Sequence, residues 1–292
     1  MNKLQEAIKY FKRVKTNKDR IKPTFIIIGA VRSGTTSLYE YLENHPNVLP
    51  PIKKETAFFN YAYHENPKWY RMYFPSIYEK IDYHQSYEKF FISGEATPAY
   101  LIDPRVPSRI SKILPDIKLI ILLRNPIDRA LSHFHHNVLT GIEKLSFEQS
   151  IKSERDRINS SFEKIKKEQS SYNENSISYF LRMLRFKPET YFKFSYLHTG
   201  HYFEHLKNWF NVFSKEQLMI IKSEDFFDQP KMVFRQVQEF LGLQYFELDR
   251  YWRAWEIKYP PMDNDLREYL KKYFAPHNQK LYKFLNRDLH WE

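Results

Sequence analysis

Short, unbroken apolar runs alternate along the chain with stretches whose apolar residues fall three and four apart, the pattern of buried parallel strands joined by helices. Phe25 to Ile28 form the first run, and Leu38, Tyr41 and Leu42 follow at helical spacing. That helix is expected to stop at Asn44-His45-Pro46, because proline disfavours helix in the residue before it. Val48 and Leu49 open a second strand that Pro50-Pro51 ends, and a further strand is expected over Lys89 to Gly94. A helix runs from Asp103-Pro104 to Leu114, a fully buried strand from Leu119 to Leu123, and a helix from Ile127 to His136. Tyr202, Leu206 and Trp209 share a helix face, Gln217 to Ile221 make a strand, and Pro230 to Leu241 make a helix closed by Gly242 as its C-cap. Two last helices are expected, Leu266 to Phe274 and Asn278 to Leu285, with Trp69, Tyr70 and Phe74 in the core. Residues 141–175 are charged and lack a steady period, so they read as a solvated helix and loop, or as a flap over a cleft. The sum is one α/β domain over residues 23–292, P-loop-like, with a central parallel sheet in a three-layer α/β/α arrangement. A lysine-rich helical arm precedes it over residues 1–22, where Leu4, Ile8 and Phe11 make a weak apolar face.

Composition narrows the function. Hydrophobic residues make up 42% of the 292, enough for a sizeable core. No apolar run nears the ~20 residues that span a bilayer, and the N-terminus is too polar for a signal peptide. The absence of cysteine excludes disulfides, thiolate metal sites and cysteine nucleophiles, and is compatible with a cytoplasmic location. A net charge of +11 favours polyanionic ligands. The basic residues are scattered, with no zinc, helix-turn-helix or RNA-recognition signature, so a phosphorylated nucleotide or an anionic glycan is preferred to nucleic acid as partner.

Candidate chemistry lies at two strand ends. Gly29 and Gly34 bracket a tight loop after the first strand, and Thr35, Thr36 and Ser37 open the next helix. Backbone N–H groups converging there, with the helix dipole behind them, make an anion cradle. The glycines have the spacing of the nucleotide loop G-x-x-x-x-G-K-[ST], but Thr35 stands at the lysine position and the cation is Arg32. Arginine is permanently charged and cannot donate a proton, so its expected role is electrostatic. The second site follows Leu123: Arg124 at the strand's carboxyl end, Pro126 in the first helical turn, and Ser132 two turns on. Open α/β sheets bind ligands at the carboxyl ends of their strands, which places Arg124 on the rim of the first loop. Glu55, between Lys53-Lys54 and Phe58-Phe59, is a candidate general base. Asp128 and Arg129 read as capping and surface charges, and His133, His135 and His136 as helix-face residues without metal-ligand spacing.

At these residues the chain resembles the sulfotransferases that use 3′-phosphoadenosine 5′-phosphosulfate (PAPS), most of all the carbohydrate, heparan-sulfate type and its bacterial relatives. The stretch Gly29 to Thr36 is similar to their 5′-phosphosulfate loop, with Arg32 in the place usually held by lysine; Arg124 and Ser132 are similar to their 3′-phosphate motif. The resemblance implies sulfuryl transfer from PAPS to an acceptor hydroxyl, with Glu55, in K-E-T-A-F-F-N, on the position of the catalytic glutamate, and with Arg32 as the second catalytic residue, which with the loop amides would stabilise charge on the bridging oxygen and the departing 5′-phosphate. Arg32, Ser33, Gly34, Thr35, Thr36, Ser37, Arg124 and Ser132 would hold the nucleotide, with Tyr202 as an additional contact, no metal, and 3′,5′-bisphosphate (PAP) as product. Ala57 and Ala96 stand where several heparan-type enzymes carry polar residues, which leaves the acceptor open between a glycan and other hydroxyl compounds. Glu95, in E-A-T-P-A-Y, is expected to orient the loop or the acceptor, or to bond structurally. The family's late glycine-rich loop is not evident between Tyr251 and Asp263. Two other readings compete, a P-loop kinase and a basic nucleic-acid-binding module on a nucleotide fold.

Overall fold

A computed structural model describes residues 12–63, 66–76, 78, 91–167 and 190–291. Leu4, Ile8 and Phe11 of the expected arm, Lys89, Phe90 and residues 168–175 lie outside them. Four strands, β1 (Phe25–Gly29), β2 (Gly94–Ala96), β3 (Lys118–Leu123) and β4 (Leu218–Lys222), form one sheet in the order β2-β1-β3-β4. Every pairing is parallel.

Alternation along the strands sorts the core into two faces. Ile26 and Ile28 of β1 and Leu119, Ile121 and Leu123 of β3 join one cluster. Phe25, Ile27, Ile120 and Leu122 join the other. The first face is covered by α2 (Val106–Ile113) and α6 (Tyr202–Phe210), through Val106, Ile110, Leu206 and Trp209. The second is covered by α1 (Thr35–Glu43) and α8 (Pro230–Leu241), through Leu38, Leu42, Val233 and Val237. This is the three-layer α/β/α fold with a central parallel sheet.

Between these come α3 (Pro126–Leu139), α4 (Phe147–Lys152), α5 (Glu154–Lys167), α7 (Ser223–Asp228) and the C-terminal α9 (Asn264–Leu285). Gly242 closes α8 at φ 72°, as its C-cap position predicts. Trp69, Tyr70 and Phe74 are core residues, and the arm's Val14 joins them.

The elements depart from the sequence pattern in five places. The strand expected over Lys89 to Gly94 starts only at Gly94, as β2, with Ile92 ahead of it in an isolated bridge. The strand expected at Val48-Leu49 is reduced to an isolated bridge between Val48 and Ile92. The helix expected from Asp103 starts at Val106, because the Asp103 carboxylate accepts the Arg105 N–H at 3.0 Å and holds a turn. The two expected C-terminal helices are one, running through Pro276. Leu270, Phe274, Asn278 and Leu281 continue a single buried stripe across the proline, which sits on the exposed side, so packing overrides the lost N–H. Within the stretch expected to be solvated, Glu143 and Glu154 are buried. Each is matched: Arg157 and Tyr196 reach Glu143 at 2.8 Å, and the N–H groups of Leu197 and His198 reach Glu154 at 2.7 and 2.8 Å.

Candidate active site

The chain leaves β1 to one side for β2 and later to the other for β3, so β1 and β3 are neighbours whose carboxyl ends meet where the order reverses. The loop after β1 needs both of its glycines. A Cβ on Gly29 would lie 2.5 Å from Leu101 Cβ, and Gly34 combines φ +93° with a contact of 2.9 Å to the Phe227 ring. Gly34 is also the N-cap of α1, so the Thr35, Thr36 and Ser37 N–H groups sit in the free first turn of that helix. After β3, Asn125 caps α3 by accepting the Ile127 N–H at 3.0 Å, and Pro126 fits the first turn.

These two turns share a cleft of ≈ 750 Å³. Arg32, Gly34, Thr35, Thr36, Glu55, Arg124 and Ser132 all line it. Arg32 lies at φ 65° and reaches across the sheet, where its Nε donates to Ser132 Oγ at 3.2 Å. A guanidinium nitrogen of Arg124 donates back to the Arg32 carbonyl at 3.3 Å. The two arginines, from separate motifs, therefore converge on one space. Burial, and then the nearby Arg124, lower the Arg32 pKa from its usual value. Like charges held this close make an anion site, because an anion between them removes the repulsion.

Ser33, Ser37 and Tyr202 do not line the cleft. Ser33 is fully buried; its carbonyl accepts from Ser223 at 2.7 Å, and its hydroxyl has no hydrogen-bond partner among the described residues. Ser37 Oγ accepts the Ala254 N–H at 2.9 Å and ties α1 to the late loop. Tyr202, expected at the nucleotide, is instead buried behind the wall, where its hydroxyl donates to the Arg124 carbonyl at 2.8 Å. Burial pushes that hydroxyl up to about 12, so it stays a donor and steadies Arg124 from behind.

Glu55 stands at the opposite wall with its side chain 55% exposed and Lys54 Nζ 3.9 Å from Oε1. It is open to solvent yet hemmed by the cleft, and this desolvation raises its pKa while Lys54 and Lys53 pull it down. Lys54 Nζ also donates to Thr36 Oγ1 at 2.7 Å. Glu95 is fully buried and accepts five hydrogen bonds, from Thr56 N and Oγ1, Tyr70, Thr97 and Tyr100. It fixes the residue next to Glu55.

On α3, Asp128 lines the cleft and pairs with Arg267 at 2.9 Å. Arg129, expected at the surface, is fully buried and donates to the Tyr196 carbonyl. Of the three histidines, His136 lines the cleft, His135 stacks on Tyr259 at 4.4 Å, and His133 is buried.

A family model described as "Sulfotransferase domain" matches residues 22–283. The chain belongs to that family. The chain is 31% identical over 320 residues to "Membrane-associated sulfotransferase kil1" of Dictyostelium discoideum, covering 92% of this chain and 66% of that one. It is 26% identical over 294 residues to "Heparan sulfate glucosamine 3-O-sulfotransferase 3A1" of Mus musculus, covering 92% and 64%. The chain thus spans slightly under two thirds of the length of these relatives. A crystal structure of a sulfotransferase from Alicyclobacillus acidocaldarius matches at TM-score 0.65 and 30% identity, over 92% of this chain and 98% of that one.

The cleft also contains residues that sequence reasoning missed. Glycine-free though it is, the late loop supplies Arg253, Trp255, Ile257 and Tyr259. It is pinned by Tyr41 OH to the Trp252 carbonyl at 2.6 Å and by Arg32 to the Trp255 carbonyl at 3.1 Å. No motif marks that loop. Glu224 and Asp228 of α7 were reachable, since α7 starts at the carboxyl end of β4 on the same rim.

Proposed function

We propose that the chain transfers a sulfuryl group from PAPS to the hydroxyl of an acceptor of the glycan class. One observation carries the reading: the bond from Arg32 to Ser132 joins the phosphosulfate-type loop to the 3′-phosphate-type motif across a single cleft. A ligand with anionic groups at both ends of a nucleoside meets arginine at one end and the loop's amides and hydroxyls at the other. Arg124 and Ser132 would take the 3′-phosphate, the guanidinium by its fork and the serine by its hydroxyl. The loop amides from Gly34 to Ser37 and the Thr35 and Thr36 hydroxyls would take the 5′ end.

The chemistry divides among the chain's own groups. Glu55 accepts the acceptor's proton as the acceptor oxygen bonds to sulfur. The bond from sulfur to the bridging oxygen breaks, its electron pair stays on the departing 5′-phosphate, and fixed cations and amides stabilise that charge. The glycan class is supported by the named activity of the heparan sulfate relatives and by the cleft's position on a basic chain of net charge +11.

A kinase reading is disfavoured at Thr36. That residue holds the position whose hydroxyl binds magnesium in P-loop kinases, and here it accepts a hydrogen bond from the Lys54 ammonium. Thermal-shift titration tests the choice. PAP without metal should raise the melting temperature, and magnesium-ATP should do so far less. Stabilisation by magnesium-ATP alone would overturn the proposal in favour of a kinase.

A further inference from the structure

We infer that Lys54 is a catalytic residue, the cation that meets the bridging oxygen of the phosphosulfate as it departs. This rests on the sulfuryl-transfer reading above and goes beyond it, since the loop's own cation is Arg32.

The geometry divides the two cations by task. Arg32 is committed toward the 3′ side, with Nε on Ser132 and a terminal nitrogen on the Trp255 carbonyl. Lys54 is at the 5′ side: its ammonium lies 2.7 Å from Thr36 Oγ1, in the first turn of the helix that receives the phosphosulfate. The same ammonium is 3.9 Å from Glu55 Oε1. One charge therefore stands beside both the donor loop and the base, within reach of the oxygen that leaves sulfur as the acceptor oxygen approaches.

Lys54 is equipped for the position. Its side chain is only 26% exposed, its stem runs beside Tyr39 with the ammonium 5.9 Å from the ring centroid, and it lines the cleft. By accepting from Lys54, the Thr36 hydroxyl is turned so that its own hydrogen is free for a donor oxygen. An ammonium has three donors, so Lys54 can keep Thr36 and still bond a further oxygen. Desolvation lowers the Lys54 pKa, with Glu55 the main group opposing it.

The step balances as follows. The acceptor oxygen bonds to sulfur and its proton goes to Glu55. The sulfur–oxygen bond to the nucleotide breaks, and its electron pair stays on the 5′-phosphate oxygen. Lys54 remains protonated and strengthens its hydrogen bond to that oxygen as charge grows there.

Labelled PAPS, offered with hydroxyl acceptors including heparosan, 4-nitrophenol and water, provides the test, alongside PAP-induced thermal shifts. Lys54→Met should lower kcat by ~10²–10³-fold, the loss of one preorganised donor, with the affinity for PAPS, measured without acceptor, within about threefold of wild type. Lys54→Arg, which keeps the charge, should recover part of the rate. Lys112→Ala, exposed on α2 and outside the cleft, should keep it. Because Lys54 holds the Glu55 pKa down, the acid limb of the kcat/KM profile should move to higher pH in Lys54→Met. Full turnover by Lys54→Met would overturn the assignment, as would a fall in PAPS affinity that matches the fall in rate. A wild-type chain that binds no PAP, or moves no label, would instead overturn the sulfuryl-transfer reading and take this role with it.

Discussion

Two influences oppose each other at the Glu55 carboxylate: desolvation in the cleft raises its pKa, and Lys54 and Lys53 lower it. The net rise brings the base nearer to the pH at which it works, where proton abstraction is most efficient. Only the deprotonated form can accept the acceptor's proton, so kcat/KM should fall as pH drops through a value above the ordinary carboxylate range. Glu55→Gln should lower kcat by ~10²–10⁴-fold, the usual contribution of a positioned general base, and leave the PAP-induced thermal shift in place. Loss of that shift would make Glu55 a binding residue. Single residues were legible in the sequence where chain geometry leaves little choice. Gly34 at φ 93° and Arg124 at a strand's carboxyl end are of this kind. Tyr202 was not, because helical periodicity shows that it faces inward but not whether it meets the cleft or the back of Arg124.

At the scale of elements, the cleft depends on β2 holding the Glu55 loop against the sheet. Glu95 does this by gathering donors from the Thr56 segment, Tyr70, Thr97 and Tyr100. Burial raises its pKa, and the hydrogen bonds from Thr97, Thr56 and Tyr70 work against that rise. Glu95→Gln would put an amide donor among donors. It should cost about 1–3 kcal/mol of stability, the penalty of an unsatisfied buried group, and slow turnover more than it changes KM for PAPS. Denaturant melts together with kcat and KM check this; an unchanged kcat in a destabilised protein would restrict Glu95 to folding. The sheet itself was readable, since β1 and β3 are apolar runs with both faces buried. Val48 was misread as a strand because two apolar residues fit either a strand or a bridge.

For the whole molecule, the legible part was the layered sheet and its basic rim, and the illegible part was whatever long-range packing decides. Pro276 marks a break by local rules, yet α9 continues because its buried stripe does. His201, half-buried against Tyr273 and His277 of α9, and the buried His205 are a second case, and they contribute to how the fold responds to acid. His205 is held down to about 3 by burial and by His198, and His201 down to about 2 by burial and by His277. The unfolded chain titrates them near 6.5. Their folded values are depressed, so above pH 6.5 they leave stability unchanged. Below it the unfolded state takes up protons that the folded state refuses, and stability falls. Glu154, raised to about 7 by burial, acts the other way between that value and the ordinary carboxylate range. Among these three groups one carboxylate offsets one of the two histidines, and their combined contribution falls on acidification. In His205→Gln the amide can still donate to the His198 carbonyl that His205 Nε2 meets at 2.9 Å. One proton then drops out of the difference between the states, and between pH 6 and 5 the stability should fall less steeply than in wild type by about 1.4 kcal/mol per pH unit. Urea midpoints from pH 8 to pH 5 measure it, and equal slopes for the two proteins would show that His205 is not held neutral in the fold.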